Sequence, residues 1–282
     1  MQLINLNGTH TPEPMLDLAA ILEFARQLAR DTGEYLTHTQ ADIAALSQQT
    51  LKYDGSVVTT SDIESDRRIT AAILQRFPSH TILSEERDRV YAGQEWCWII
   101  DPIDGTSNFA SGYPIWGVLI GLLHYGVPVL GVADFPLLHE QFYAAKGLGA
   151  WRNGLPIRGA AHAKFEHYHL LACCSRTFKH GDLPLKVKAR VAGSSGYDLA
   201  SVACGRCAAT INMTVHVWDV AACWVLLNEA GGLVQTTVPD QLFPLKQGID
   251  YASVEFAILA AGNPALLAEA NTKLSDRVKV SG

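Results

Sequence analysis

The sequence lacks an excess of basic side chains, since its 282 residues include 22 Lys and Arg against 28 Asp and Glu, for a net charge of −6. Nucleic acid is therefore not expected as a partner. The chain contains no apolar run of about 18 residues, so no membrane span is predicted. Residues 1–6 have neither the basic start nor the long apolar stretch of a secretion signal, and we therefore expect a cytoplasmic location.

Cysteine is scarce as well, and its six residues do not suggest a disulfide framework in a chain of this length. Cys204 and Cys207 have the spacing of a redox or zinc half-site. No second half-site follows at zinc-like spacing, and the pair lies in residues 200–209, a stretch of small side chains that is predicted to be helical. We therefore favour a structural role for this pair.

A pair of acids directly follows an apolar run. Residues 96–100 are apolar, and after them come Asp101 and Asp104 in the sequence DPIDGT, residues 101–106. Two carboxylates at this spacing can hold hard divalent cations, and the N–H groups of Gly105 and Thr106 can hold a phosphate oxygen beside them. The combination indicates phosphate-ester chemistry.

Two further acids end strand-like segments, and they extend this pair to a predicted metal cluster. Glu85 comes two residues after the sequence TIL (81–83), and Asp219 directly follows the sequence VHVW (215–218). The backbone carbonyl of Ile103 could complete the ligand set. Oxygen ligands select Mg²⁺, Mn²⁺ or Ca²⁺ over zinc. The alternative is that these acids are helix caps and turn residues, because Asp-Gly is common in turns.

Two neighbours of the cluster each have two interpretations. The Thr106 hydroxyl could cap a helix, or it could orient a water molecule for attack while Glu85 takes the proton. Asp62 could be a helix cap or an outer ligand of the cations.

The apolar pattern predicts a protein of mixed α+β and α/β class with two halves in one compact unit. An N-terminal α+β half covers residues 1–160, and a C-terminal α/β half covers residues 161–282. In the first half, helices are predicted at residues 17–49, interrupted near Gly33, and at residues 61–77, with Ser61 or Asp62 as the cap. An antiparallel meander is predicted from strands at residues 116–123, 127–135, 140–145 and 149–152. In the second half, helices are predicted from Asp219 to Gly231 and, after Pro264, at residues 265–274.

Six collinear segments span most of the chain, from about residue 15 to 275. They are VVTTSD (57–62), ILSEE (82–86), WIIDPIDGTSNF (98–109), GLGAWRNG (147–154), GSS (193–195) and WDVAA (218–222). Their combination resembles the inositol monophosphatase family of lithium-sensitive, Mg²⁺-dependent phosphatases. The resemblance implies a layered αβαβα sandwich, often dimeric, with the active site between the two halves.

The resemblance also implies roles for individual residues. Two or three Mg²⁺ ions are expected, and Mn²⁺ can substitute. The implied ligands are Glu85, Asp101 and the Ile103 carbonyl for the first ion, Asp101, Asp104 and Asp219 for the second, and Glu85 with Asp62 for a loosely held third. The implied phosphate- and substrate-binding residues are Asp104, Gly105, Thr106, Gly193, Ser194, Ser195 and Asn212. Residues 52–56 would form a mobile loop over the ions, and the expected assembly is a homodimer.

Three positions depart from the family pattern. Ser84 replaces a glycine, and Ser195 replaces a small apolar residue of the alcohol pocket. Asn212 stands where relatives that act on inositol phosphate commonly have a glutamate for the sugar hydroxyls, so the substrate preference can differ. Inositol monophosphate ranks first among the candidate substrates. Histidinol phosphate ranks second, because relatives that act on it have a sequence similar to YPIWG at residues 113–117. Fructose bisphosphate and 3′-phosphoadenosine phosphate come next.

The predicted reaction is hydrolysis of a small polar phosphomonoester by in-line attack of water, without a covalent phosphoenzyme. Thr106 and Glu85 would activate the water, and the ion on Asp101, Asp104 and Asp219 would stabilise the leaving group. The distant alternative is a non-catalytic binding or regulatory protein of the same fold. Retention of every predicted ligand argues against it.

Overall fold

The computed structural model describes residues 17–41, 49–51, 57–180, 183, 185–238 and 241–278. The helices of these residues are α1 (Leu18–Ala41), α2 (Thr60–Arg76), α3 (Thr106–Ala110), α4 (Ser195–Ala203), α5 (Val217–Glu229) and α6 (Pro264–Val278). Short 3₁₀ turns lie at Pro136–Leu138, Ser175–His180 and Tyr251–Ser253. None of the helices in these ranges is both long enough and apolar enough to cross a membrane.

A seven-stranded sheet forms the centre of the N-terminal half. Its strands are β3 (Thr81–Ser84), β4 (Trp96–Asp104), β5 (Gly117–His124), β6 (Val127–Phe135), β7 (Glu140–Ala145), β8 (Ala150–Arg152) and β9 (Leu155–Pro156). They lie side by side in chain order. β3 and β4 run parallel, and every later neighbour is antiparallel, which confirms the predicted meander.

A five-stranded mixed sheet belongs to the C-terminal half. Its strands are β10 (Leu170–Cys173), β11 (Lys188–Arg190), β12 (Ala209–Val215), β13 (Leu233–Thr236) and β14 (Phe256–Ala261), in the order β11-β10-β12-β14-β13. A separate two-stranded ribbon pairs β1 (Gln49–Leu51) with β2 (Val57–Thr59). The division of the chain at residue 160 remains a prediction.

The two sheets and the helices form five layers. α1 and α2 cover one face of the seven-stranded sheet, and α4 and α5 lie between the two sheets. α6 covers the outer face of the five-stranded sheet. Side chains of β4 alternate between layers, because Trp98 and Ile100 pack toward α1 and α2 whereas Cys97 and Ile99 pack toward α5. Both faces of this sheet are therefore apolar, as a sheet between two helix layers requires.

Helix α5 packs so closely on β6 that only glycine fits at one position. A Cβ atom at Gly131 would lie 2.0 Å from the backbone oxygen of Ala222 in α5. Because the obstacle is backbone, a change of rotamer could not relieve the contact. This glycine sets how near the helix approaches the sheet.

Several predicted boundaries were wrong. α1 passes through Gly33 without interruption. Glycine suits this position because an added Cβ atom would lie 2.7 Å from Oδ2 of Asp134. Gln49 begins a strand paired to residue 59 instead of ending a helix. Thr60 already belongs to α2, so Ser61 and Asp62 lie inside its first turn. The predicted loop at residues 52–56 lies outside the described residues.

Candidate active site

Asp101 and Asp104 lie in the last part of β4, where the pairing with β5 becomes irregular between them. Both side chains are buried, and Asp101 Oδ1 accepts a hydrogen bond of 3.1 Å from the Ile103 N–H. The irregularity interrupts the alternation of a regular strand, which would otherwise point residues three apart to opposite faces. Both carboxylates can therefore contribute to one site.

Asp219 reaches the same place from another element. The sequence placed it at the junction of a strand and a helix that begins at Asp219. The strand limit was wrong, because β12 ends at Val215, and the helix begins two residues earlier than predicted, so Asp219 is the third residue of α5. Its Oδ2 accepts a hydrogen bond of 2.7 Å from the His216 N–H and so closes the first turn of the helix. One carboxylate oxygen from each of Asp101, Asp104 and Asp219 lies within 4.8 Å of the others.

The N-terminus of α4 supports the carboxylate of Asp104. The N–H groups of Ser195 and Gly196 donate to its two oxygens at 3.1 and 3.0 Å, and the Ser194 hydroxyl donates a third hydrogen bond. Helix N-termini favour negative charge because their N–H groups point outward. The sequence had assigned Ser194 and Ser195 to phosphate or substrate, and that role remains a prediction. It missed Gly196 entirely.

The three acids are packed closely enough to resist ionisation. Burial raises the pKa of Asp101 well above its ordinary value, and the charges of Glu85, Asp104 and Asp219 raise it further. Burial and the charges of Glu85 and Asp104 likewise raise the pKa of Asp219. For Asp104 burial outweighs the hydrogen bonds that lower its pKa, which reaches about 6. Divalent cations would relieve this repulsion, so the donor set fits an ion with oxygen ligands.

Thr106 joins the cluster to α2. It is the first residue of α3, whose cap is Gly105, so the interpretation of Thr106 as the cap was wrong. Its Oγ1 lies 3.0 Å from the Ile103 carbonyl oxygen and 3.3 Å from Asp62 Oδ1, and its single proton can go to either. Asp62 is buried in the first turn of α2. Glu85 follows β3 directly and is half-buried, with its N–H donating to the Ile100 oxygen of β4 at 3.2 Å.

Gly193 and Asn212 lie on the C-terminal half. Gly193 has a φ of 79°, and a Cβ there would meet the Asn108 side chain at 2.9 Å. Asn212, on β12, is buried and donates to Asp198 Oδ2 at 3.3 Å and to Thr210 Oγ1 at 3.1 Å. Its amide nitrogen therefore has partners within the protein. A substrate role for either residue remains a prediction.

Asn108 is a second residue that the sequence reasoning missed. Its Nδ2 donates to the Ile115 oxygen at 2.6 Å and to the Ala192 oxygen at 2.8 Å. These bonds join the segment after α3 to the segment before α4, so they connect the two halves beside Asp104. The asparagine in the TSNF segment was the available signal, but its partners are distant in sequence.

The cysteine pair has no companion ligands among the residues that the structure describes. α4 ends at Ala203, because Gly205 takes a φ of 73°, so the predicted helix over residues 200–209 was wrong in its second half. All six cysteines are free, and burial raises the pKa of Cys207 to about 12. A thiolate, which redox and zinc chemistry need, is therefore disfavoured at Cys207. Within the described ranges the metal-compatible groups of three or more side chains reduce to Asp101, Asp104 and Asp219.

The raised pKa values predict how the metal-free protein responds to pH. The unfolded chain releases these protons near pH 4, whereas folded Asp104 keeps its proton to about pH 6, and the pKa values of folded Asp101 and Asp219 are also raised well above that of the unfolded chain. Stability is thus greatest below pH 4 with respect to these groups, and it is lost as the pH rises through the folded pKa values. Without divalent cations, we expect the free energy of unfolding to fall by on the order of 1–3 kcal/mol between pH 5 and pH 8.

Added Mg²⁺ should offset this loss, so the rise in Tm that it produces should be larger at pH 8 than at pH 5. Thermal unfolding with Mg²⁺ and with a chelator, at both pH values, measures the difference. Asp134→Asn serves as the control, since burial also raises the pKa of Asp134 to about 6, although it lies outside the cluster. This variant should keep the pH dependence of the Mg²⁺ effect. An equal Mg²⁺ effect at both pH values would contradict the prediction.

A sequence profile of the inositol monophosphatase family matches residues 17–275. The chain belongs to the inositol monophosphatase family. The inositol-1-monophosphatase of Synechocystis sp. is 33% identical over an alignment of 230 positions, which covers 77% of this chain and 79% of that protein. The histidinol-phosphatase of Chlorobaculum parvum is 33% identical over an alignment of 226 positions, which covers 77% of this chain and 84% of that protein. The solved structure of inositol monophosphatase from Anabaena sp. is 30% identical, with a TM-score of 0.70, covering 93% of this chain and 97% of that one.

Membership of the inositol monophosphatase family confirms three predictions from the sequence. The fold is the layered α and β sandwich of this family. The protein is a phosphoric monoester hydrolase of a metal-dependent kind, and its three-carboxylate cluster could bind metal. A small-molecule phosphate is the class of substrate that fits.

Proposed function

We propose that the protein hydrolyses inositol monophosphate with the help of two or three Mg²⁺ ions, for which Mn²⁺ can substitute. The observation that carries this proposal is the convergence of Asp101, Asp104 and Asp219 within 4.8 Å. Three carboxylates this close together, those of Asp101 and Asp104 on β4 being buried, would cost stability without cations to neutralise them. Oxygen-only ligands suit Mg²⁺ and Mn²⁺ better than zinc.

The ligand assignment is the one that the family resemblance implies, and the grouping of Asp101, Asp104 and Asp219 supports its central part. Asp101, Asp104 and Asp219 would hold one ion, and Glu85, Asp101 and the Ile103 carbonyl a second. Asp62 and Glu85 would support a loosely held third. Bound cations would neutralise phosphate charge, lower the pKa of water and stabilise the leaving alkoxide.

Thr106 and Glu85 would activate the attacking water. When Thr106 donates its proton to Asp62 Oδ1 at 3.3 Å, its oxygen lone pairs can accept a hydrogen bond from water. That bond would orient the water, and Glu85 would take its second proton. The N–H groups of Gly105 and Thr106 are proposed to hold a phosphate oxygen, and the φ of 88° at Gly105 is one that glycine adopts readily.

Histidinol phosphate is the second candidate substrate. The histidinol-phosphatase of Chlorobaculum parvum matches this chain at the same identity as the cyanobacterial inositol-1-monophosphatase. Asn212 leaves the choice between these substrates open, because its amide carries no charge and its nitrogen already donates to Asp198 and Thr210. Its carbonyl oxygen could accept a bond from a substrate hydroxyl.

Phosphate release from a panel of phosphomonoesters tests the proposal. The panel comprises inositol monophosphate, histidinol phosphate, fructose bisphosphate and 3′-phosphoadenosine phosphate, each with Mg²⁺, without it, and with added Li⁺. We expect Mg²⁺-dependent, Li⁺-sensitive release that is fastest with inositol monophosphate. Faster release from histidinol phosphate would reassign the substrate. No release from any of them, by protein shown to bind Mg²⁺, would favour the binding-protein alternative.

We further propose a homodimer located in the cytoplasm. The six free thiols are consistent with a reducing compartment. The dimer is what the family resemblance implies. Light scattering coupled to size-exclusion chromatography measures the mass directly, and a monomer mass would refute the dimer.

A further inference from the structure

A buried pair of side chains lies directly behind Glu85. Ser84 is the last residue of β3 and Asp66 lies in α2, and neither has any solvent exposure. The Ser84 hydroxyl donates a hydrogen bond to Asp66 Oδ1. A hydrogen bond to a buried carboxylate is stronger than one between neutral groups. This pair therefore joins the end of the strand firmly to the helix.

The same serine also organises the chain that follows it. Its Oγ accepts a bond of 3.3 Å from the Glu86 N–H, and its own N–H donates to the Asp88 oxygen at 2.9 Å. Asp66 Oδ2 lies 3.6 Å from the Arg87 guanidinium, so the buried negative charge is compensated from this segment as well. Residues 84–88 are thus folded back around one hydroxyl and one carboxylate.

Glu85 is held by the backbone in the middle of this segment. Its N–H donates to the Ile100 oxygen at 3.2 Å, and its carbonyl accepts from the Arg89 guanidinium at 2.9 Å. Ile100 directly precedes Asp101, so the backbone of Glu85 is fixed relative to the part of β4 that carries the carboxylate cluster. Removal of the Ser84 hydroxyl would release one end of this arrangement. A glycine at position 84 could not make the bond to Asp66.

We propose that Ser84 and Asp66 are positioning residues that hold Glu85 where it binds a divalent cation. The inference rests on the proposed function, in which Glu85 is a metal ligand. Outer partners of a metal ligand commonly change metal affinity by roughly 10–100-fold when they are removed. Ser84→Ala should therefore weaken binding of the cations that Glu85 contacts by roughly 10-fold, with little effect on the cation held by Asp101, Asp104 and Asp219.

The primary readout is binding of Mn²⁺ by electron paramagnetic resonance, which counts free ions and requires no turnover. Ser84→Ala and Ser84→Gly both lose the hydroxyl, and each should lose one class of Mn²⁺ site at the ion concentration that fills it in the wild type. Ser84→Thr keeps a hydroxyl and should restore it. Where turnover is measurable, the Mg²⁺ concentration for half-maximal rate should rise in parallel, while KM for the phosphate substrate changes little.

Ser65→Ala is the matched control. Ser65 neighbours Asp66 and is fully buried, but its hydroxyl has no hydrogen-bond partner in the described part of the chain. The Ser65→Ala variant should retain the Mn²⁺ binding of the wild type. Circular dichroism identifies the temperature range in which each variant is folded, and Ser84→Gly replaces Ser84→Ala if the latter unfolds.

Mn²⁺ affinity within about twofold of the wild type in folded Ser84→Ala or Ser84→Gly would overturn the inference, as it falls below the effect expected of an outer partner. So would equal weakening in Ser65→Ala, which would indicate a general loss of packing. Wild-type protein that binds Mn²⁺ but hydrolyses no phosphomonoester would refute the proposed function alone, because the Mn²⁺ comparison would still test the positioning role.

Discussion

A protein with Asp219→Asn should fold normally and release phosphate several-hundred-fold more slowly than the wild type. The asparagine oxygen can still accept the His216 N–H bond that Asp219 accepts at 2.7 Å, so the start of α5 is retained. One negative charge of the cluster is lost. Weaker charge stabilisation of about 3–4 kcal/mol corresponds to this loss of rate.

Asp104→Asn should lose turnover to a similar extent and should also lose stability. Asp104 accepts hydrogen bonds from Ser194, Ser195 and Gly196, and an amide nitrogen would face at least one of these donors. An unsatisfied buried donor costs about 1–3 kcal/mol. The two variants thus separate the charge, which both lose, from the hydrogen bonds, which only Asp104→Asn disturbs.

Phosphate release at saturating Mg²⁺ and urea denaturation measure these two effects. Asp134→Asn provides the matched control, because Asp134 is another buried carboxylate, on β6, whose Oδ1 accepts from Gln141 at 3.0 Å. Its asparagine variant should keep the rate within about twofold, as expected for an independent site. Rates near that of the wild type in both cluster variants would refute the metal-ligand assignment.

Gly131→Ala should lower the free energy of unfolding by about 3 kcal/mol, the upper part of the range for overpacked cores. The added methyl would lie 2.0 Å from the Ala222 backbone oxygen, so β6 and α5 must move apart. The displacement should also reduce turnover, because α5 carries Asp219 at its first turn. Raising the Mg²⁺ concentration should recover part of the rate if the displaced carboxylate still binds.

Urea denaturation at fixed Mg²⁺ measures the stability change. Gly147→Ala is the comparison, since Gly147 has a φ of 79° but, its two chain neighbours aside, no atom of the described residues lies within 4 Å of an added Cβ. Its cost should come from backbone conformation alone, about 1 kcal/mol. If Gly131→Ala were no less stable than Gly147→Ala, the close packing of β6 on α5 would not be the constraint described above.

Local patterns predicted the strands of the first half well. β6 and β7 have the predicted limits, because each is a run of apolar residues bounded by turns. The limits of α5 were missed, since the apolar residues Val217 and Trp218 before Asp219 fit a strand or a buried helix equally. The N-terminal helix was extended too far for a related reason, because pairing with β2 decided the conformation of Gln49.

The carboxylates at positions 101, 104 and 219, which the structure brings within 4.8 Å, were among those chosen from the sequence alone, because hard divalent cations prefer oxygen ligands; the role of Glu85 stays a prediction. Only the tertiary structure could place the partners that orient them. Ser194 is 90 residues from Asp104, and Asp66 is 18 residues from Ser84. No local propensity encodes such contacts, since they depend on how α4 meets β4 and how α2 meets β3. The residue types determined the chemistry, and the packing of the layers determined its geometry.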